Sequence, residues 1–226
     1  MQESAKEWNI SFAGCGFLMA YYCGVYGCLS ERAPFFLKEV KRICGASSGA
    51  LMGAMLVCQM SPAKSCENLL EMSREARRGT LGAVHPSFDL GRLFVSLTRV
   101  SDGTNVLVSE FDSKEDLVQA LICSCFYPLY CGVIPPRYHG IRYVDGALSD
   151  NMPFSGLRNT ITISPFSGES DISPYGNPFY FHDIYYNNVS IHINFINAHR
   201  VVIAFFPPEA EVHFEYLIFK NTLRPT

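Results

Sequence analysis

A serine between two glycines stands out in this 226-residue sequence as a candidate reactive group. Gly45, Ser47 and Gly49 form a Gly-x-Ser-x-Gly motif in the stretch ICGASSGALMGAM, just before a run of small residues. In a nucleophile elbow, such a serine occupies a strained strand-to-helix turn where larger neighbouring side chains would clash. The motif therefore predicts Ser47 as a nucleophile. A small-residue turn that only packs against a strand is the alternative.

A serine hydroxyl needs a base, because it is a poor nucleophile at neutral pH. Asp145, in RYVDGALSDN, follows a predicted strand and precedes Gly146 and Ala147, whose small size would let a partner approach the carboxylate. Asp-Gly is also a common turn dipeptide, so a plain turn is the competing interpretation. A Ser–Asp–His order stays open too, with a histidine from the second half of the chain: His182, His192, His199 or His213.

Gly14 and Gly16 lie between a predicted strand and a predicted helix, in GCGFLM. Backbone N–H groups converge at such a helix start and favour negative charge there. A dinucleotide loop is disfavoured because Met19 stands where its third glycine belongs, and no acidic residue ends a second strand ~20 residues later. The alternative is an oxyanion hole, whose N–H donors stabilise charge on a carbonyl oxygen.

The stretch from 12 to 29, FAGCGFLMAYYCGVYGCL, contains no charged residue. A membrane span needs ~20 apolar residues, and an export signal needs a basic start. The first seven residues carry one lysine and two glutamates, and the stretch contains four glycines. We interpret it as the oxyanion loop followed by a buried helix rather than a membrane span.

The composition suits a protein with a large core or a surface that faces lipid or a partner. Hydrophobic residues make up 48% and charged residues 17%, below the ~25% of ordinary globular chains. The net charge of −3 gives no electrostatic footprint for nucleic acid. Nine cysteines within apolar stretches predict buried thiols in a reducing compartment. Cys123 and Cys125 lack a second ligand pair, so no metal site is expected.

Alternation of predicted strands and helices indicates an α/β domain. We predict strands at 8–12, 42–44, 140–147 and 159–166, helices at 17–29, 34–42, 50–60, 61–79 and 114–125, and a hairpin over 95–111. Ser113 is the predicted cap of the helix at 114. Residues 1–168 are assigned to a catalytic core. Residues 169–226 are assigned to an aromatic-rich C-terminal extension of the same domain.

These pieces together resemble the patatin-like phospholipase family, and within it the branch that contains adipose triglyceride lipase and adiponutrin. The resemblance is carried by WNISFAGCGFL, GASSGAL, HPSF, SLTRVSDG, GVIPP, RYVDGALSDN and NTITISPFSGESDI, between residue 8 and about residue 172. It implies a three-layer α/β fold with a mostly parallel central sheet flanked by helices. It also implies a Ser–Asp dyad in place of a triad. By this resemblance Ser47 is the nucleophile, Asp145 is the base, and the amides of Gly14, Cys15 and Gly16 form the oxyanion hole.

The resemblance further implies a function. A member of this branch would release fatty acids from long-chain acylglycerols or phospholipids through an acyl-enzyme, or pass the acyl group to another hydroxyl, without a metal or organic cofactor. It would work in the cytoplasm at a lipid-droplet or endoplasmic-reticulum membrane surface, with an α/β-hydrolase-like coactivator protein. The alternative is a catalytically inactive member that binds lipid droplets or partner proteins.

The sequence departs from the family pattern at several positions. Met19 replaces the last glycine of the oxyanion loop, where its side chain would crowd an acyl pocket. Roughly twenty residues that the family carries are absent between Leu90 and Gly91, which predicts the loss of a helix with its loop. Ser48 stands where alanine is common and Ala147 where glycine is common, and both changes keep the side chain small.

Overall fold

A computed structural model describes residues 7–67, 90–175 and 182–206 of the chain. Its strands are β1 (Trp8–Phe12), β2 (Val40–Ala46), β3 (Leu93–Arg99), β4 (Asn105–Val108), β5 (Arg137–Tyr138), β6 (Ile141–Asp145), β7 (Thr160–Ile163), β8 (Asp183–Tyr186) and β9 (Val189–His192). Its α-helices are α1 (Ala20–Arg32), α2 (Pro34–Glu39), α3 (Ser48–Val57), α4 (Lys114–Ser124) and α5 (Phe195–Phe205). Short 3-10 helices span Gly16–Met19, Leu90–Arg92 and Gly146–Leu148.

Seven strands form one mixed central sheet, flanked by helices, as predicted for the fold class. Strands β3, β2, β1 and β7 are neighbours in that order and run parallel. Strands β4 and β6 both pair antiparallel with β3, and β5 continues from β6. A separate two-stranded ribbon joins β8 and β9. The parallel strands have helical connections, as parallel pairing requires.

The uncharged stretch after β1 forms a buried helix, as predicted. The first half of α1 is buried, and Tyr22 is completely inaccessible to solvent. Its ring packs edge-on against Phe12 of β1, with the ring centroids 5.0 Å apart. No helix in the described part of the chain is long and apolar enough to cross a bilayer.

Most predicted elements are present, with shifted boundaries. The hairpin between β3 and β4 turns at the predicted Asp102-Gly103, and Ser113 caps α4 by accepting a hydrogen bond from the Asp116 amide at 3.1 Å. The second helix was predicted to reach residue 42, but α2 ends at Glu39 because Val40 already pairs with β1. Of the helix predicted at 61–79, residues 62–67 are helical and the remainder lies outside the described residues.

Two cysteines contradict the prediction of buried thiols. Cys28 and Cys131 are exposed, and all nine cysteines are free thiols. Cys28 lies in the second half of α1, where the helix leaves the core, and Cys131 lies on a turn after α4. An apolar sequence neighbourhood does not by itself bury a residue, because a helix end or turn can point it outward.

The part of the chain beyond residue 168 contains order that the sequence analysis did not assign. The ribbon of β8 and β9 and the helix α5 both fall within the predicted extension at 169–226. Asn194 caps α5, accepting a hydrogen bond from the Asn197 amide at 2.7 Å. Helix α5 packs against the 3-10 helix at Gly16–Met19, so this region is joined to the core beside the glycine loop.

Candidate active site

The candidate nucleophile and base meet because two strands converge on one edge of β3. Strand β2 pairs with β3 up to Ala46 opposite Ser96 and runs parallel to it. Strand β6 runs antiparallel and ends with Asp145 opposite Leu97. Strand β4 pairs with residues 95–98 of β3 and therefore occupies its other edge. The carboxyl ends of β2 and β6 thus face each other along a single edge, one residue apart in register.

Ser47 lies in a sharp turn between β2 and α3. Its φ of 54° and ψ of −128° are a strained combination for a residue with a side chain. A Cβ on Gly45 would lie 2.3 Å from the carbonyl carbon of Gly49, and one on Gly49 would lie 2.3 Å from the Phe12 carbonyl oxygen. Only glycine fits at these two positions, so the steric reason behind the motif is present. The turn places Ser47 at the amino end of α3, which favours negative charge nearby.

A buried serine holds the strained turn in place. The Ser47 amide donates to the Ser124 hydroxyl at 2.9 Å, and that hydroxyl donates to the Ser96 carbonyl oxygen at 2.8 Å. Ser124 is the last residue of α4 and is completely buried. It thereby connects the nucleophile turn to β3 through two hydrogen bonds.

Asp145 is 3% exposed. The Ala147 amide donates to its carboxylate at 2.9 Å. Burial raises the pKa of Asp145 to about 7, against smaller lowering effects of the Ala147 amide and of the nearby Ser47 side chain. Its backbone is fixed by bonds to Thr98 and Phe126. The site therefore places a buried carboxyl with a raised pKa beside the candidate nucleophile.

The predicted oxyanion loop lies against Ser47, since a Cβ on Gly14 would be 3.1 Å from the Ser47 Cβ, but two of its amides already have acceptors. Gly14 N–H donates to Asn151 Oδ1 at 2.7 Å, and Cys15 N–H donates to Ser48 Oγ at 2.9 Å. Gly16 N–H has no acceptor among the hydrogen bonds of the described residues. Gly16 has a φ of 53° and is exposed at the start of its 3-10 helix. Of the three amides, that of Gly16 is the one open to a ligand.

The small residues after the carboxylate have a structural reason in addition to the one predicted. A Cβ on Gly146 would lie 2.1 Å from the Ser96 carbonyl oxygen, so its lack of a side chain lets the acid loop approach the backbone of β3. Ala147 is buried and contributes its amide to Asp145. Close backbone packing, and not only access for a partner side chain, accounts for small residues here.

Several neighbours of the dyad were not identified from the sequence. The Cys125 thiol lies beside Ser47, and burial together with the nearby Asp145 charge raises its pKa. Tyr186 lies beside Tyr127, and burial, followed by this tyrosine and the Asp145 charge, raises the pKa of Tyr186. Asn151 belongs to the RYVDGALSDN stretch but was not singled out, and Ser48 was treated as a neutral change. No local pattern marks these residues, since their partners are distant in sequence.

No histidine that the structure describes is among the groups that shift the pKa of Asp145. His139 Nε2 lies 2.8 Å from Asp116, and His192 Nε2 lies 3.7 Å from Asp183. His213 is outside the described residues. The open alternative of a Ser–Asp–His triad therefore receives no support from His139, His182, His192 or His199.

Two other sequence features can be located. Met19 is fully buried within the hydrophobic core, and the crowding of an acyl pocket stays a prediction. Cys123 is buried in the hydrophobic core, whereas Cys125 lies beside Ser47, so the two thiols have different surroundings. Within the described residues, one group of potential metal ligands, Asp112, Asp116 and His139, lies at the surface near α4. Asp116 there already accepts hydrogen bonds from Tyr138 and the Asp112 amide.

A mixed α/β sheet with a serine turn and a buried carboxylate at the ends of converging strands defines a domain of the patatin type. The family model of patatin-like phospholipases matches residues 10–94 and 78–158. The chain belongs to the patatin-like phospholipase family, which confirms the resemblance found in its motifs.

Three relatives show how the similarity is distributed. The chain is 49% identical to human patatin-like phospholipase domain-containing protein 2 over 225 residues, covering 90% of this chain and 45% of that protein. It is 41% identical to mouse 1-acylglycerol-3-phosphate O-acyltransferase Pnpla3 over 233 residues, covering 94% and 56%. It is 39% identical to human patatin-like phospholipase domain-containing protein 5 over 231 residues, covering 93% and 54%. The chain spans about half the length of the curated relatives it matches.

The comparisons also bear on the predicted loss of a segment between Leu90 and Gly91. The family match is divided into two parts that overlap at 78–94. The alignment with the human relative is longer than the part of this chain that it covers, so gaps fall within this chain. Both observations support a missing segment, whose position stays a prediction because 68–89 lie outside the described residues. Beyond the junction the chain enters β3 directly and pairs with β2.

Proposed function

We propose that this chain is a lipid acyl hydrolase that releases fatty acids through a Ser47–Asp145 dyad. The observation that carries the proposal is the strand register that brings the serine turn beside a buried carboxylate, whose pKa is raised to about 7. A general base is most effective when its pKa lies near the working pH. The strained turn and the helix start at Ser47 add the exposure and the electrostatic field that a nucleophile requires.

In the first half of the reaction, Asp145 accepts the proton of the Ser47 hydroxyl as its oxygen attacks the ester carbonyl carbon. The carbonyl π bond opens and the oxygen becomes an oxyanion in a tetrahedral intermediate. Collapse of the intermediate breaks the bond to the alcohol, and Asp145 returns the proton to that leaving oxygen. Ser47 is left esterified with the fatty acid.

The glycine loop supplies the oxyanion donors in this scheme. The Gly16 amide is open. The amides of Gly14 and Cys15 donate to Asn151 and Ser48 before the reaction, and they share or break these hydrogen bonds to donate to the oxyanion when it forms. One donor is typically worth ~10²–10³ in rate. Asn151 and Ser48 hold the loop in place before the substrate arrives.

In the second half, Asp145 removes a proton from an incoming hydroxyl, whose oxygen attacks the carbonyl carbon of the acyl-enzyme. Collapse of this second tetrahedral intermediate breaks the bond to the Ser47 oxygen, and Asp145 returns the proton to that oxygen. Water as the acceptor gives a fatty acid, and a glycerol hydroxyl gives acyl transfer. The relatives include a protein named for a phospholipase domain and one named as an acyltransferase of 1-acylglycerol-3-phosphate, which supports both outcomes for this proposal. Neither half requires a metal ion or an organic cofactor.

We further propose long-chain acylglycerols or phospholipids as substrates, since each buried methylene contributes ~0.8 kcal/mol to binding in an apolar site. In this proposal the protein acts in the cytoplasm, at the surface of lipid droplets or endoplasmic-reticulum membrane. An α/β-hydrolase-like coactivator is the proposed protein partner, which rests on the branch resemblance alone.

A second function, binding of lipid droplets or partners without turnover, is favoured by one observation. Two of the three predicted oxyanion amides are bonded to side chains in this structure. If those bonds persist with substrate bound, stabilisation of the transition state would fall.

Reaction with a fluorophosphonate tests the proposed function. We expect the purified chain to form a covalent adduct at Ser47, detected by peptide mass spectrometry, and to release fatty acid from emulsified triacylglycerol. A pretreated sample should lose both reactivities in parallel. If neither adduct nor fatty acid forms, the binding function without turnover replaces the hydrolase.

The pH dependence of hydrolysis should follow the raised pKa of Asp145. Because the base must be deprotonated, kcat/KM is expected to fall tenfold per pH unit below about 7 and to level off above it. The measurement is kcat/KM on a soluble short-chain ester between pH 5 and pH 9. A midpoint near 4 would mean that the carboxyl is not desolvated during turnover.

An imidazole base would give a similar midpoint, so a second measurement separates the two. Adding an organic cosolvent disfavours the charged form of each acid–base pair. The midpoint should therefore rise if a carboxyl titrates and fall if an imidazolium titrates. A falling midpoint would restore the Ser–Asp–His alternative.

A further inference from the structure

We propose that the loop 127–134 and the outward side of α5 form one lipid-docking face. This face binds the surface of uncharged lipid and so brings it beside Ser47 and Asp145. The exposed apolar side chains of this docking face are Leu129, Val133, Ile134, Phe195, Val202 and Phe206. The proposal rests on the proposed function for its biological purpose, and its binding test is independent of catalysis.

Helix α5 exposes apolar side chains while it buries polar ones beside apolar ones. Its buried side contains Asn197 and Arg200 together with Ile203 and Ala204, while Phe195 is 88% exposed. The inward polar groups are well bonded: Asn197 Nδ2 donates to the carbonyl oxygens of Ser167 at 2.9 Å and His192 at 2.8 Å. Arg200 in turn donates to Asn197 Oδ1 at 3.0 Å. Polar contacts therefore help to anchor the helix, and large apolar side chains remain on its outward side, where polar residues are usual.

The loop presents apolar residues in the same way. Leu129 is 86% exposed and Val133 is 82% exposed. Leu129 has a φ of 68°, an unfavourable conformation that is maintained by the hydrogen bond from its amide to the Gly132 carbonyl oxygen at 2.9 Å. The turn is therefore fixed with its leucine in solvent.

Aromatic contacts join the loop and helix into a continuous docking face. The Tyr130 hydroxyl donates to the Phe205 carbonyl oxygen at 2.7 Å, and the two rings lie 5.8 Å apart. Tyr127 contacts the other side of Phe205, with ring centroids 5.4 Å apart. Exposed apolar surface that is contiguous in this way marks an interaction site.

The docking face borders the dyad from two sides. Cys125 contacts Ser47, and the Phe126 carbonyl oxygen accepts from the Asp145 amide, immediately before the loop begins. On the other side, Gly16 lies so close to α5 that a Cβ there would be 2.1 Å from the Ala204 carbonyl oxygen. A surface seated on this face would lie beside the nucleophile, the base and the open amide.

The lack of charge on the docking face indicates which kind of lipid it binds. Residues 126–136 contain no charged side chain, and residues 193–206 contain one, the buried Arg200, besides His199. Anionic membranes attract clusters of lysine and arginine, which this face lacks. An uncharged apolar face matches the hydrocarbon of neutral lipid instead.

Glutamate substitutions within the 226-residue chain test the proposal. Val133→Glu and Phe195→Glu are expected to reduce co-flotation with triolein emulsions by at least about tenfold each, the effect of losing one buried side chain of this size. Their rates on emulsified triacylglycerol should fall in parallel. Their rates on a soluble short-chain ester should equal that of the wild type.

Phe35→Glu is the matched control. Phe35 is an exposed aromatic residue (78%) on α2, at the amino end of β2, whereas Ser47 follows the carboxyl end of that strand. Seven strand residues separate the two ends by roughly 20 Å. This variant should float and turn over like the wild type.

Several results would overturn the proposal. Flotation that is unchanged in Val133→Glu and Phe195→Glu, or that requires anionic phospholipid, would exclude a neutral-lipid face. If flotation is unchanged but these variants lose thermal stability, residues 207–226 cover the face. If flotation is unchanged but the variants lose a dimer in size-exclusion chromatography, a second copy of the chain covers it. A wild type that floats but cleaves neither ester would refute the hydrolase while leaving the face supported.

Discussion

Ser47→Ala and Asp145→Asn are each expected to lose at least about 10³-fold in the rate of fatty-acid release. Alanine removes the attacking oxygen, and asparagine removes the proposed base, a carboxyl beside Ser47 whose pKa of about 7 suits it to accept a proton near neutral pH. The two changes act on one proton transfer, so the double variant should be no slower than either single one. The measurement is initial rate on a soluble ester and on emulsified triacylglycerol.

The stability of Asp145→Asn distinguishes loss of chemistry from loss of fold. In the wild type, burial raises the folded-state pKa above the unfolded value, so the stabilisation is fully present below the unfolded pKa and is lost as pH rises through about 7. Asparagine never ionises and should unfold at a higher temperature than wild type, with a gap that widens from pH 5 to pH 8. The exposed substitutions Asp112→Asn and Ser101→Ala should change neither rate nor unfolding temperature. Retained activity in Asp145→Asn would end the dyad assignment.

Asn151→Leu is expected to lower kcat by about 10²-fold with little change in KM. Leucine keeps the volume of asparagine but cannot accept the Gly14 N–H, so the oxyanion loop loses its bond to the acid-bearing segment. The loop then samples positions in which its amides miss the developing charge, while the substrate binds as before. Steady-state kinetics on a soluble ester measures both constants.

Asn9→Leu is a matched control for this change. Asn9 and Asn151 are both 3% exposed, but Asn9 lies at the amino end of β1 and the glycine loop follows its carboxyl end. Both variants should lose stability, and only Asn151→Leu should lose kcat. An equal loss of kcat in the two variants would mean that general destabilisation explains the effect. An increase in kcat for Asn151→Leu would show that Asn151 blocks the Gly14 amide.

The sequence predicts those parts of the site that depend on local sterics. Gly45 and Gly49 are recognisable because a tight strand-to-helix turn excludes side chains, and the structure contains the close approaches responsible. Asp145 is recognisable from its place after a strand, together with the family resemblance. The catalytic roles of these residues stay predictions until the variants are measured.

The supporting residues could not be predicted, because their partners are far away in the chain. Ser124 bonds the nucleophile turn across 77 residues, and Asn151 bonds the glycine loop across 137. Such contacts depend on the register of strands that a single sequence does not reveal. Asn151 is nonetheless the last residue of the RYVDGALSDN motif. Its position six residues after Asp145 was the one sign in the sequence that it lies near the site.

Helix α5 escaped prediction for a related reason. Several of its apolar residues face solvent, and its buried ones include Asn197 and Arg200 beside Ile203 and Ala204, so hydrophobicity is a poor guide to burial in this helix. The boundary between α2 and β2 was misplaced because the helical pattern continues to Arg42, whereas pairing with β1 begins at Val40. In both cases tertiary contacts overrode the local pattern.

The meeting of β2 and β6 along β3 fixes which chemical groups can work here. Ala46 and Asp145 face adjacent residues of one strand, about 3.3 Å apart along its axis. A shift of one residue in either pairing would turn the end of that strand toward the opposite face of the sheet. The proposed partnership of Ser47 and Asp145 therefore depends on the register of β3 with both neighbouring strands.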